Sequence, residues 1–189
     1  MRKPIFLIVG ESGSGKDTVV DIVCQQHRRV KIRSYTTRPS RGYFDNTHIF
    51  VSKEEFPKPK YRAGYTKYNG FEYCATVHQI ETCDFYIIDP AGIAYFKEHY
   101  KGKRPYKVVY IKTDKQVRFR RLIMRGRKSG GSGKEIAEKA AERFVGDLQV
   151  FKGIEHECDC IIENNGTPEE CAEKLWKYMC ECQGTGNPN

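Results

Sequence analysis

Long apolar runs are missing from this 189-residue chain: none approaches the ~20 residues that cross a bilayer, so a spanning helix is excluded. The start, MRKPIFLIVGES, is basic and then apolar like an export signal. Its run is short, has no small-residue cleavage site, and reads instead as a buried first strand. Acidic side chains are in deficit, with 24 Asp and Glu against 33 Lys and Arg and a net charge of +9. That balance suits polyanionic ligands, although a solvated basic surface produces it equally well. The five histidines show no ligand spacing. The eight cysteines include two Cys-x-Cys pairs, Cys158 with Cys160 and Cys180 with Cys182, but lack the CxxC-like spacing usual for zinc. No internal repeat is present. The length allows one full α/β domain or two very small ones.

What the chain does have is a phosphate-loop pattern. In IFLIVGESGSGKDTVVDIV, Gly10, Gly15 and Lys16 fit GxxxxGK directly after an apolar run. Glycines at 10, 13 and 15 let main-chain N–H groups turn inward around phosphate oxygens. The helix that follows presents its positive end to the same anion, and Lys16 can reach the β- and γ-phosphates. Ser12 and Ser14 complete the loop. Position 17 departs from the pattern, with Asp17 in place of Ser or Thr and Thr18 directly after it. Asp17 can ligate Mg²⁺ directly or through water, or it can point away and favour the helix's first turn. Thr18 is read as an additional phosphate or structural hydroxyl.

Further along, strand and helix patterns alternate. Expected strands are 3–9, 30–35, DFYIID (84–89), KVVYIKT (107–113) and CDCIIEN (158–164). Expected helices are 18–27, 91–100, about 114–125, 136–151, and one opened by Thr167 and Pro168. The result is an α/β chain, a three-layer P-loop fold with a parallel sheet. Core segments 1–35 and 81–183 are interrupted by 36–80, a polar and aromatic insert without a long helical pattern. A Gly/Ser-rich break at about 126–135 reads as a small lid, and 184–189 as a disordered tail. DFYIID ends on Asp89, placed to hold a metal-bound water or to face an acceptor. Arg118 and Arg120 read as a solvated helix face.

The stretch SYTTRPSRGYFDNTHIFVSKEEF (34–56) holds Ser34, Arg38 and Arg41 close enough to converge on one anion, with guanidiniums that can clamp a second phosphate in forked geometry. Together with the P-loop, Tyr73, IIDPAG around Asp89, RRLIMRGR (120–127) and IIENN (161–165), this block resembles the guanylate kinase family over about residues 4–180. The GKDT form also resembles that of some phage-type deoxynucleoside monophosphate kinases.

The resemblance implies one domain over 1–183, with 36–80 as its NMP-binding segment, and ATP-dependent phosphorylation of a nucleoside monophosphate with Mg²⁺. By that mapping Gly10, Ser12, Gly13, Ser14, Gly15, Lys16, Asp17 and Thr18 bind ATP, and Asn164 falls near the adenine. Ser34, Arg38, Arg41, Tyr73 and Asp89 bind the acceptor, and Lys16, Arg38, Arg125 and Arg143 serve transfer, with Arg121 also among the guanidiniums that close over the phosphates. The family's guanine-reading Glu and Ser fall at Gly64 and Ala75, its Tyr before FVS at His48, and a second acid before Asp89 at Ile87. Thr76, Glu72 or His48 can substitute as base readers. Losing a hydrogen-bonding reader weakens discrimination, so the phosphate clamp carries over and the guanine readout does not. GMP or dGMP is the first acceptor to try. The alternatives are a kinase for another nucleotide or small phosphorylated acceptor, and an inactive guanylate-kinase-like module that binds protein. Tyr61, Tyr65, Tyr68, Phe71 and Tyr73 can stack nucleic-acid bases, but a wall around one nucleotide is the simpler account. Small-molecule nucleotides are therefore the expected partners, in a reducing, cytoplasmic setting that keeps the cysteines as thiols.

Overall fold

A computed structural model describes residues 2–43, 45–128, 130 and 132–184 of the chain. In chain order its elements are β1 (Ile5–Val9), α1 (Lys16–His27), β2 (Tyr35–Thr36), β3 (Ile49–Phe50), β4 (Arg62–Tyr68), β5 (Phe71–Thr76), α2 (Val77–Thr82), β6 (Phe85–Ile87), α3 (Pro90–His99), β7 (Tyr106–Lys112), α4 (Lys115–Lys128), α5 (Gly133–Val150), β8 (Cys160–Glu163) and α6 (Pro168–Gln183). Among these residues no helix is long and apolar enough to cross a membrane.

Strands β6, β1, β7 and β8 form one sheet in that order, with every pairing parallel. A parallel strand covered on both faces must be apolar on both, and all five β1 residues are buried. Ile5, Leu7 and Val9 join a cluster with Ile93 and Phe96 of α3. Phe6 and Ile8 face the other way, onto Val19, Val20 and Val23 of α1 and Leu175 and Met179 of α6. Each such side chain contributes roughly 1.5–3 kcal/mol on burial. These two clusters are the two sides of a three-layer core, as the alternation of elements implied.

The second sheet, ordered β3-β2-β5-β4, occupies the insert. Its backbone is the β4–β5 hairpin, closed by Asn69 and Gly70 with φ of 49° and 79°. Two positive φ values at a two-residue turn are the geometry whose twist suits a hairpin, and Asn-Gly is the favoured pair.

Three expectations need correction. Residues 30–35 do not form a strand of the main sheet: Lys31 makes an isolated bridge to Phe85, and the Ile32 N–H donates to the Phe85 carbonyl at 2.8 Å. The chain then turns away from β6, and Tyr35 and Thr36 pair with β5 in the second sheet. The boundary at 80 cuts through α2, whose Ile80 is fully buried in the same cluster as β1. The Gly/Ser break is also narrower than 126–135. α4 continues to Lys128, because Gly126 lets it approach α5: a Cβ there would lie 2.6 Å from Ile136 Cγ2. Ser132 then caps α5 in a reciprocal box with Glu135. Ser129 and Gly131 of the expected lid lie outside the described residues, as do residues 185–189 of the expected tail; Gly184 ends α6.

Candidate active site

The loop between β1 and α1 is a cradle that side chains would fill. A Cβ on Gly10 would sit 2.7 Å from both the Ile111 carbonyl oxygen and Ser14 Oγ. Gly13 and Gly15 adopt φ of 80° and 82°, the left-handed region that favours glycine. Gly15 caps α1 without any side-chain bond, so the first N–H groups of the helix remain available to an anion. These features fit a phosphate chain. Lys16 opens α1. Burial lowers its pKa, while Asp17, Asp147 and Glu11 act to keep it charged and Arg125 acts against it. Asp17 and Thr18 are exposed in the first helical turn. One carboxylate at this position fits Mg²⁺ as a single anionic ligand, with phosphate and water oxygens left to complete the shell. No group of three or more His, Cys, Asp or Glu is placed to hold a metal among the described residues, so the Cys-x-Cys pairs gain no support as a zinc centre.

Behind the cradle the loop is braced by groups from far along the chain. The Ser14 carbonyl accepts from Asn164 Nδ2 at 2.7 Å, Thr113 Oγ1 at 3.1 Å and Arg121 Nη1 at 3.2 Å. Asn164, expected near the adenine, is 1% exposed and holds the loop from beneath. Arg121 likewise turns to main-chain carbonyls, those of Ser14 and Gly166. Arg118 overturns its expectation outright. It is 1% exposed, pairs with Glu11 at 2.6 Å and Asp147 at 2.8 Å, and donates from Nε to the Ser12 carbonyl at 3.1 Å. Arg120 is exposed, as read. Neither Glu11 nor Asp147 carried a signal that singled it out; the hint for Arg118 was Leu122, four residues on and buried on the same face.

On the insert side, Ser34 Oγ lies 3.0 Å from His48 Nδ1, and the His48 ring meets Tyr73 edge-on at 5.5 Å. Burial lowers the His48 pKa and Arg38 adds to the effect, while Asp45 and Asp17 oppose it. Arg38 lies 5.1 Å over the Phe50 ring and donates to Asp45 at 3.2 Å and to the Pro39 carbonyl at 2.9 Å. Asp45 organises this turn. Hydrogen bonds, led by that of Thr47, hold its carboxyl well below the usual range. Arg38 is therefore engaged by groups of its own turn, and Arg41 is exposed.

Electrostatics connects the two halves. Burial lowers the Arg125 pKa, and the neighbouring charges of Arg143 and Arg41 lower it further, against Asp17. Arg41 from the insert and Arg125 and Arg143 from the two last long core helices before β8 thus share one region with the head of α1.

The expected acceptor contact Asp89 and the candidate base readers are otherwise occupied. Asp89 caps α3 by accepting the Gly92 N–H at 2.7 Å, and its other oxygen accepts from Thr66 Oγ1 at 2.9 Å. Thr76 caps α2, and Glu72 accepts from Tyr65 at 2.8 Å. Burial, aided by that bond, pushes the Tyr65 hydroxyl to about 12. Ala75 is fully buried. At Gly64 a Cβ would fall 2.6 Å from Tyr86 Cε1 and 2.7 Å from its hydroxyl, so a phenol ring fills the space a side chain at this position would need.

A glycine-lined cradle at the carboxyl end of the central strand of a parallel sheet flanked by helices defines a P-loop kinase-like α/β fold. The particular likeness is to guanylate kinase: the enzyme from Anaplasma phagocytophilum superposes with a TM-score of 0.64 over 95% of this chain and 87% of its own, at 19% identity. An uncharacterized protein from Eubacterium ventriosum matches over 95% of this chain and 99% of its own, with a TM-score of 0.50 and 16% identity. No protein-family model and no curated protein matches the sequence.

Proposed function

We propose that this protein is a nucleoside monophosphate kinase that transfers the γ-phosphoryl group of ATP to an acceptor nucleotide, with GMP or dGMP the first to test. The observation that carries the reading is the meeting of like charges: Arg143 and Arg41 both bear on Arg125, and Arg125 in turn on Lys16 at the open head of α1. Cations gathered around a guanidinium and a lysine are explained by a polyanion that binds among them.

Lys16 and the uncapped N–H groups at the head of α1 would hold the β- and γ-phosphates of the donor. Ser34, Arg38, Arg41 and Tyr73 would hold the acceptor phosphate, with Arg38 exchanging Asp45 for it. Arg125 and Arg143 would neutralise charge on the transferred group. Mg²⁺, held by Asp17 directly or through water, would supply further neutralisation of the phosphate oxygens. No general base is needed, since the acceptor phosphate is already anionic; catalysis rests on alignment and charge.

The filled position at Gly64 favours a second reading on the same scaffold, a kinase for another nucleotide or small phosphorylated acceptor. A coupled ADP-release assay across the common ribo- and deoxynucleoside monophosphates separates the two. Preference for guanine nucleotides supports the first and preference for others the second. No turnover with any of them removes the nucleoside monophosphate kinase reading and leaves a different phosphorylated acceptor or an inactive protein-binding module.

A further inference from the structure

We infer that Asp147 is a positioning residue of the donor site: with Arg118 it ties α5 to the phosphate loop and thereby sets where Arg143 stands. The role given to Arg143 rests on the kinase reading; the tie itself does not. Asp147 Oδ2 accepts the Ser12 N–H at 2.7 Å and pairs with Arg118 Nη2 at 2.8 Å, while Ser12 Oγ donates to Oδ1 at 3.4 Å. Arg118 Nε donates to the Ser12 carbonyl at 3.1 Å. The Ser12 residue is thus gripped at both of its main-chain polar groups. Arg118 is anchored in turn on Glu11 at 2.6 Å and lies 5.1 Å over the Phe144 ring of α5.

Arg143 and Asp147 are four residues apart in α5, and so lie on the same face one turn apart. Fixing Asp147 against Ser12 therefore fixes the height and rotation of Arg143 relative to the loop. Stability is a poor explanation for such a unit, because desolvating one guanidinium and two carboxylates commonly costs as much as their attraction returns. What the unit does specify is the distance between a helix and a loop that are 135 residues apart at their closest bond. It also leaves one carboxylate charge uncompensated beside Lys16. Asp147 and Glu11 both act to keep that lysine charged against its burial.

The test uses Asp147→Ala, Arg143→Ala and the double variant of the whole protein, with Asp147→Asn as the isosteric companion should the alanine variant fail to fold. Three quantities are read: hydrogen exchange at the Ser12 amide without nucleotide, affinity for Mg·ATP by calorimetry, and the kcat and KM of transfer. Removing Asp147 should speed Ser12 exchange at least about 10-fold. It should also weaken Mg·ATP binding or kcat about 10-fold in the wild-type background, yet less than about 2-fold once Arg143 is already alanine, since residues acting as one unit are non-additive. Unchanged Ser12 exchange overturns the tie, and a full second loss in the double variant overturns the action through Arg143. If no monophosphate is phosphorylated but Mg·ATP binds, the kinase reading fails while exchange and affinity still decide this one. If Mg·ATP does not bind at all, the action through Arg143 falls with it.

Discussion

In the kinase we propose, residues 10–15 would hold the donor's phosphates and residues 34–50 the acceptor's, but the two segments are built in different ways. The first is fixed by partners scattered over the whole chain, with Ser14 held by residues 113, 121 and 164, and Ser12 by 118 and 147. Most of those groups are buried. The second is fixed within the insert: Asp45 binds Arg38, Arg41 and Thr47, Ser34 meets His48, and β2 pairs with neighbouring β5. Contacts close in sequence cost little loop entropy and can change without disturbing the core. The donor end is therefore a property of the entire fold, while the acceptor end is a local surface feature that substitution can retune. Gly64 is the boundary case: it belongs to the insert, but its missing side chain is dictated by Tyr86 of the core sheet.

The comparison is broken most directly at the donor end. Lys16→Ala should lower transfer by about three orders of magnitude, with the fold intact by circular dichroism. Near-normal turnover would mean the loop lysine does not serve phosphates. Next comes Arg118→Leu, which leaves the half-buried Glu11 and Asp147 without their cation. A loss of about 3–5 kcal/mol in urea unfolding is expected, whereas a loss under about 0.5 kcal/mol would place Arg118 on the solvated face after all. The acceptor end should yield a gentler result. Arg38→Ala should raise the acceptor KM about 10- to 100-fold while changing the ATP KM less than about 2-fold and stability less than about 1 kcal/mol. Equal damage to both substrates would erase the division between the halves.

How much of this was readable beforehand follows the same division between local and distant contacts. β1, the glycine loop and α1 were legible because an apolar run, three glycines and a lysine act within a dozen residues. Thr167 and Pro168 likewise announced the start of α6, where Glu170 completes a capping box with Thr167. The hairpin was also written locally, in Asn69-Gly70, but the surrounding aromatics drew attention as a binding wall instead. Arg118 could not be read that way. RFRR presents three arginines, and which one turns inward depends on Asp147 arriving 29 residues later on another helix. Asn164 was placed at the right end of its strand, yet only packing shows its amide pointing at Ser14. The segment 30–35 reaches β6 through one bridge at Lys31 and then leaves the main sheet, with Tyr35 and Thr36 pairing in the second sheet instead.

The smallest effect tests whether the acceptor end is as built as the donor end or merely exposed. His48 has its pKa lowered chiefly by burial, then by Arg38. The unfolded chain should take up its proton near the ordinary value of about 6.5. Across the interval below that value the unfolded state binds more protons than the folded one, so stability rises with pH there. The penalty is absent well above 6.5 and grows as the pH falls. His27 is lowered too, by burial and Arg29, and contributes in the same direction. The measurement is therefore a difference. Unfolding free energies of the native protein and His48→Asn are compared between pH 7.5 and 5.5, where His27 cancels. The native protein should lose up to about 1 kcal/mol more than the variant over that interval. Parallel curves would mean His48 titrates as in water, and that the Ser34–His48–Tyr73 cluster is too open to preorganise a phosphate.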